Sequence, residues 1–537
     1  MKRASQRTWE ILGSLSSSQT FWERITGRTE SPLWAFDEIA KSGETEVVPH
    51  LARFLLSPRQ EMRQAAARAI AQLVPLLQDV DYVRLDELSR STLAYESTTN
   101  AAWCKLKPTE VESLGERPNG SLMVGLASMH NNGYVREAAV EWLCGVSDGS
   151  EVPFLLVRLN DWVAEVRAGA LRGILSRARA EYATHFFRHL RLVDRLRSCS
   201  REAHAQAVEA IDRALTAPEA VTFLREGIGS SDRWLRRHCL RLAIQSKTNT
   251  GLAILREALS DSDAVVRLWA ARNVLPDLPE EELRLALPRL IGDPFMPVRC
   301  EALNCMVRRC PGEADAELRL ALLDSHASVR ALARYHLERR GYTDFRGVYL
   351  DALRSDADKT LRTGVAGLGE TGNAQDARLV VPFLGGRSIG VRRAAVRAIA
   401  ALDGDHFVAE LVGVLTDDHK GLSREGRLAL QRRLARVNGD DLWSSFCRDQ
   451  RGHVRQNILV LLSRLPSWTR IRYLVMASAD PDPGIAELAR RHLKSRVPRF
   501  APSADELRAL LEVLDRYETK LDQGYVRTTR AWLRVYQ

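Results

Sequence analysis

Between Asp261 and Arg392 the chain writes one short pattern over and over: an Asp, five residues later an apolar residue, then an Arg. The copies are Asp261–Val266–Arg267, Asp293–Val298–Arg299, Asp324–Val329–Arg330 and Asp356–Leu361–Arg362. A fifth, Val391–Arg392, has Gly386 in the Asp place, and the step between copies is about 31 residues. A period of that size admits few folds, because so short a unit cannot bury an apolar face alone and must stack on its neighbours. Inside a copy the apolar positions follow helix spacing. Val329, Ala333, His336 and Leu337 fall on one stripe, as do Val391, Ala395, Ala398 and Ile399. The alanines at the fourth place let neighbouring helices come close. The pattern predicts an all-α chain, an α/α superhelix of about 13–14 helical hairpins.

Weaker copies extend the register in both directions. Upstream lie Met62-Arg63, Val135-Arg136, Asp161–Val166–Arg167, Ala203-His204 (with His in the Arg place) and Leu235-Arg236. Downstream lie Asp418–Ser423–Arg424, Asp449–Val454–Arg455 and Asp480–Ile485–Ala486. The repeat array is therefore expected over residues 44–497. Residues 1–43 do not fit it and carry Trp9, Phe21, Trp22, Trp34 and Phe36, which suits an N-terminal helical cap or a partner-docking arm. Residues 498–537 read as C-terminal capping helices, opened by the capping-box spacing of Ser503 and Glu506. The stretch 107–121, with Pro108, Gly115, Pro118 and Gly120, predicts an exposed loop inserted between helices.

The pattern Asp-x4-Val-Arg-x2-Ala-x3-Leu resembles the HEAT-like repeat of bacterial HEAT-repeat proteins, including the phycobilisome-lyase type. The fullest copy runs from Gly367 through Leu379–Leu384 to Gly390-Val391-Arg392 and beyond. The resemblance implies Asp–Arg ladders between adjacent repeats and second helices that line a concave surface. By that implication Asp261, Asp293, Asp324 and Asp356 pair with arginines drawn from Arg267, Arg299, Arg330 and Arg362. Gly386, Ser423 and Ala486 depart from the pattern, so the ladder is expected to weaken at each.

Motifs for chemistry are scarce. Gly367-x-Gly369-x-x-Gly372 spells a dinucleotide fingerprint, but that motif needs a strand before it. Here a helix precedes it, and the glycines are expected to end that helix. No His is followed by Glu, and no Walker loop is present. Eight cysteines stand singly, and the five-residue steps of Cys300, Cys305 and Cys310 turn each away from the last on a helix. The sequence thus predicts no metal, no cofactor and no catalytic residue. It has no apolar run long enough for a membrane span and no secretory leader, so a bacterial cytoplasmic protein is expected.

Net charge is +10, yet only 9 of the 78 basic residues are Lys. Many of the arginines are the repeat positions themselves, which discounts the basic signal. What remains is a set of arginines facing away from the core stripe: Arg68, Arg172, Arg241, Arg272, Arg397 and Arg491. Glu141, Glu209 and Tyr335 interrupt them. The expected function is a non-enzymatic scaffold that holds a protein partner on the concave surface. The alternative is nucleic-acid binding along this discontinuous arginine track.

Overall fold

The computed structural model describes residues 1–15, 33–95, 101–199, 201, 204–386, 388–466, 468–495 and 501–534. Phe21, Trp22, Ala203, Val497 and Tyr536 lie outside them. Every regular element among the described residues is a helix, as the repeat requires, and no β-strand occurs among them. The elements are helical hairpins stacked side by side, an all-α solenoid. None of these helices is long and apolar enough to cross a membrane. The chain forms two compact units, Met1–Asp277 and Leu278–Gln537.

The second helix of each hairpin carries the repeat motif. In the first unit these are α1 (Gln60–Leu73), α2 (Gly133–Cys144), α3 (Ala164–Arg177), α4 (Ala205–Leu215), α5 (Arg233–Ser246) and α6 (Ala264–Val274). In the second they are α7 (Met296–Arg309), α8 (Ala327–Glu338), α9 (Asp358–Thr371), α10 (Ile389–Asp403), α11 (Lys420–Leu430), α12 (Gly452–Leu462) and α13 (Pro483–Ser495). The predicted stripe is the buried face. Val329, Ala333 and Leu337 of α8 and Val391, Ala395, Ala398 and Ile399 of α10 are buried. Each fully buried Val, Leu or Ile contributes roughly 1.5–3 kcal/mol, so the stripe rather than helix propensity holds a unit together. His336 is half-buried, with its Nε2 2.9 Å from Asn304 Oδ1.

The repeat arginine works within its own hairpin first. Its Nη1 donates back to the carbonyl six residues earlier, closing the turn between the two helices. Arg63 reaches Ser57 O at 2.7 Å, Arg167 reaches Asp161 O at 2.9 Å, and Arg299 reaches Asp293 O at 2.8 Å. The repeat Asp holds the same turn from the other side by accepting the N–H two residues on, as Asp324 does from His326 at 2.7 Å. That Asp lies upstream of the helix N-cap. Capping of the helix falls to the following residues: Asp263 accepts from Val265 N at 2.9 Å, and Asp232 from Trp234 N at 2.9 Å.

The arginine then reaches forward. Arg136 forks onto Asp161 (2.9 and 2.8 Å) and Arg299 onto Asp324 (2.9 and 2.7 Å), each 25 residues on. Arg392 with Asp417 and Arg455 with Asp480 keep the same step of 25. In each pair the arginine reaches forward along the chain to a later Asp. One register differs from the sequence reading. The ladder acceptor is Asp417, not Asp418, so Leu422 is the buried apolar residue and Ser423 takes the Arg place. Ser423 donates to Leu415 O at 2.7 Å.

Two further expectations need correction. Residues 107–121 are not an exposed loop: the chain is helical over Pro108–Glu110, Val111–Gly115 and from Gly120, and Val111 and Leu114 are buried. The apolar i, i+3 pair outweighs the flanking breakers. Nor do Gly367 and Gly369 end a helix. They lie inside α9, and only Gly372 caps it. A Cβ on Gly367 would fall in the ring of Tyr349, and one on Gly369 would come 2.7 Å from Ala398 Cα. Close helix packing is what those glycines permit.

At the ends, Phe36 is buried edge-on to Phe54 (5.3 Å between centroids), while Trp34 stays half exposed. Ser503 and Glu506 form the expected capping box at the start of Ala504–Tyr517. Leu510 and Leu514 of that helix bury against Trp468, Ile471 and Val475. The cysteines described are free thiols; Cys239, Cys305 and Cys310 are buried, whereas Cys447 is exposed.

Candidate interaction surface

The outward arginines are on second helices, and Arg172, Arg241, Arg272 and Arg397 are engaged. In the first unit Arg172 pairs with Glu141, one of the residues that interrupt the track. Arg241 bridges Asp194 at 3.0 Å and His238 Nδ1 at 2.7 Å. Burial, together with the neighbouring Arg241 charge, pushes His238 down to about 4, so the ring accepts that bond as neutral imidazole. In the second unit Arg397 forks onto Glu425, which Arg393 shares at 2.7 Å. Burial alone would raise Glu425; hydrogen bonds from Arg397 and Arg393 outweigh it and hold the carboxyl below its ordinary value. Arg68, Arg272 and Arg491 are exposed. The structure therefore does not gather the six into a continuous bare cationic strip within either unit.

The implied ladder is also met only in part. Arg299 and Asp324 pair. Arg267 closes its own turn on Asp261 O at 2.8 Å, and Asp293 holds its turn through Phe295 N at 2.7 Å. Asp261 is approached by Arg236 at 3.4 Å. Arg330 does not go to Asp356. It turns to Glu370 on α9, which also takes Arg334 at 2.8 Å. Asp356 is exposed and holds no arginine, and Arg362 makes no hydrogen bond or ion pair among the described residues.

Sequence reasoning missed a second arginine series at the C-terminal ends of second helices. These reach backwards to carbonyls of the preceding hairpin: Arg177 to Cys144 O (2.9 Å), Arg309 to Leu278 O (3.0 Å), Arg340 to Pro311 O (3.0 Å), and Arg433 to Ala400 O. The carbonyls at a helix C-terminus lack intrahelical donors, and a cation there is favourable. Much of the Arg surplus is thus structural cement, and the basic composition overstates the free positive surface.

Grooves remain between these paired arginines. On the second unit one of about 720 Å³ lies over α8, α9 and α10, lined by Arg330, Arg362, Glu370, Arg393 and Arg397 above Gly369, Ala394 and Ala398. A neighbouring groove of about 640 Å³ extends over α11, with Glu425, Leu428 and Arg432. Arg397 and Ala401 line both, so the two are continuous along four second helices, α8 to α11. The first unit has a separate cavity of about 520 Å³ assembled from distant hairpins. In it Asp79 accepts His189 Nδ1 at 2.8 Å and Arg191 N–H at 2.9 Å, and the Arg191 guanidinium lies 4.5 Å over Trp234. Burial, with Asp79 and Asp81 nearby, pushes the Tyr82 hydroxyl up. No spacing rule joins Asp79, His189 and Trp234, so the sequence offered no signal for this cavity. No group of three or more metal-ligating side chains converges among the described residues.

A family model for HEAT repeats matches residues 190–274, a stretch within the first unit. No curated protein matches the chain. Two solved structures of Kap121p are similar. A triple mutant is 12% identical, with 88% of this chain and 59% of that one covered and a TM-score of 0.34. Kap121p bound to Pho4p is 10% identical, with 97% and 56% covered and a TM-score of 0.32. The chain thus spans under three-fifths of the length of those proteins. The repeat class is HEAT-like. Nothing in these matches points to the phycobilisome-lyase type or to a bacterial source.

Proposed function

We propose that the chain is a non-enzymatic interaction scaffold that holds a protein partner along its second-helix faces. The observation that supports this most is the continuous groove over α8 to α11, with small residues on its floor and arginines at its rim. A groove crossing four helices suits an extended segment better than a compact metabolite. Rim arginines give orientation through planar, directional hydrogen bonds, and the apolar floor gives area. Nucleic-acid binding along the arginine track has weaker support, because Arg172, Arg241 and Arg397 are each committed to a carboxylate. A phosphate would have to compete with those partners.

The test is retention of a partner by the tagged full-length chain from its native host, compared with Ala401→Trp. Ala401 is exposed and lines both halves of the groove, so Trp there fills the groove without entering the core. A co-purifying protein that is lost from Ala401→Trp is expected. Retention by both forms, or no protein with either, contradicts the reading.

A further inference from the structure

At Arg362 the ladder is interrupted, and the interruption opens into the groove. Where the ladder is intact the arginine makes two kinds of bond, one to its own turn and one to the carboxylate 25 residues on, as Arg299 does with Asp293 O and Asp324. Arg362 makes neither among the described residues. The forward register reaches the Gly386-Arg387-Ser388 stretch, which has no carboxylate. Its own turn residue, Asp356, is exposed and takes no arginine among the described residues. The Arg362 stem is nonetheless placed: its Cδ would lie 3.2 Å from a Cβ on Gly390, so glycine there lets the side chain lie flat at the groove wall. An arginine held at a pocket wall with its fork unsatisfied is a half-built ion pair.

We propose that Arg362 receives a carboxylate from the bound protein segment, an Asp or Glu side chain that takes the place of the missing ladder Asp. This rests on the scaffold reading above and names the chemistry of the partner. The groove selects for an isolated acid rather than a polyanion. Four arginines line it, but Glu370 lies among them, and Glu425 stands beside Arg397 where the groove continues. Both carboxylates hold their own arginines and repel a chain with a charge at every unit. A segment with one acidic residue between small apolar ones matches Arg362 and the Gly369–Ala398 floor together.

The test uses the full chain and three fluorescent probes at low salt: an Ala/Gly-rich peptide with one Glu, the same peptide with Gln, and single-stranded DNA. The Glu peptide is expected to bind, with affinity about tenfold weaker for the Gln form and for Arg362→Ala. Gly386→Asp supplies the missing carboxylate within the chain; Gly386 has φ −63°, which an Asp adopts without strain. It is expected to weaken the Glu peptide by a similar factor while leaving the fold intact by circular dichroism. Absent binding of the Glu peptide, equal binding of the Gln form, or indifference to both variants overturns the proposal. So does DNA binding that exceeds the peptide and depends on Arg362. If the native partner stays on Arg362→Ala and Gly386→Asp but leaves Ala401→Trp, the carboxylate site fails and the scaffold reading stands. If Ala401→Trp also keeps it, the scaffold reading fails too.

Discussion

The same ladder step is built differently in the two units. In the first, Asp161 is fully buried and takes Arg136 at 2.8 Å and Arg158 at 2.7 Å, while Arg158 also reaches Asp86 and Asp86 holds Arg90 at 2.5 Å. In the second, Arg299 and Asp324 make an isolated fork with both side chains partly exposed (11% and 16%). Identical letters at identical spacing thus give a buried charge network in one place and a partly wet pair in another. The burial decides what each is worth. A buried ion pair contributes little net stability when intact, because desolvation offsets the attraction, yet removing one partner leaves a charge stranded. A half-wet pair loses only its hydrogen bonds, since water replaces the missing partner.

Substitutions at these positions test the contrast. Asp161→Ala leaves Arg136 and Arg158 without their shared anion and should cost about 3–5 kcal/mol in urea unfolding; a loss under about 1 kcal/mol would show that water enters the cluster. The same carboxyl carries a pH signature. Burial alone would raise Asp161, but hydrogen bonds from Arg136, the Arg158 charge and the Val163 N–H together hold it below its ordinary value. A depressed carboxylate stabilises fully above its unfolded value of about 4 and loses that contribution as pH falls through the folded value. Urea midpoints should therefore drop steeply below about pH 4, with a shallower drop in Asp161→Asn. Asp324→Ala removes a fork and one turn bond and should cost about 1–2 kcal/mol. Asp356→Ala, in the same register but unpaired and exposed, should change the unfolding free energy by under about 0.5 kcal/mol.

Much of the fold was legible because it repeats. A helical stripe and a fixed period need no knowledge of what touches what, and Val329, Ala333 and Leu337 fell inside as the spacing demands. Contacts across repeats were less legible. Asp356 has the right letter, but Glu370 competes for Arg330 from the facing helix and wins. The backward arginines Arg177, Arg309 and Arg433 bind backbone carbonyls, which carry no letter at all. Gly367 and Gly369 spell a cofactor loop, while their use is the close approach of Tyr349 and Ala398. The groove itself is marked in sequence only by an omission, Gly386 where an Asp recurs elsewhere.

What stands behind these contrasts is that a repeat arginine facing a carboxylate 25 residues on is an internal tie from one hairpin to the next, and a double-mutant cycle on Arg299 and Asp324 tests that most directly. Unfolding free energies of the parent chain, Arg299→Ala, Asp324→Ala and the double variant isolate the pair from the turn bonds each residue also makes. The ladder predicts a coupling of about 1–2 kcal/mol, within the range for contacting residues. Strict additivity would mean that the two residues only hold their own turns, and that the ladder is not what ties the hairpins together.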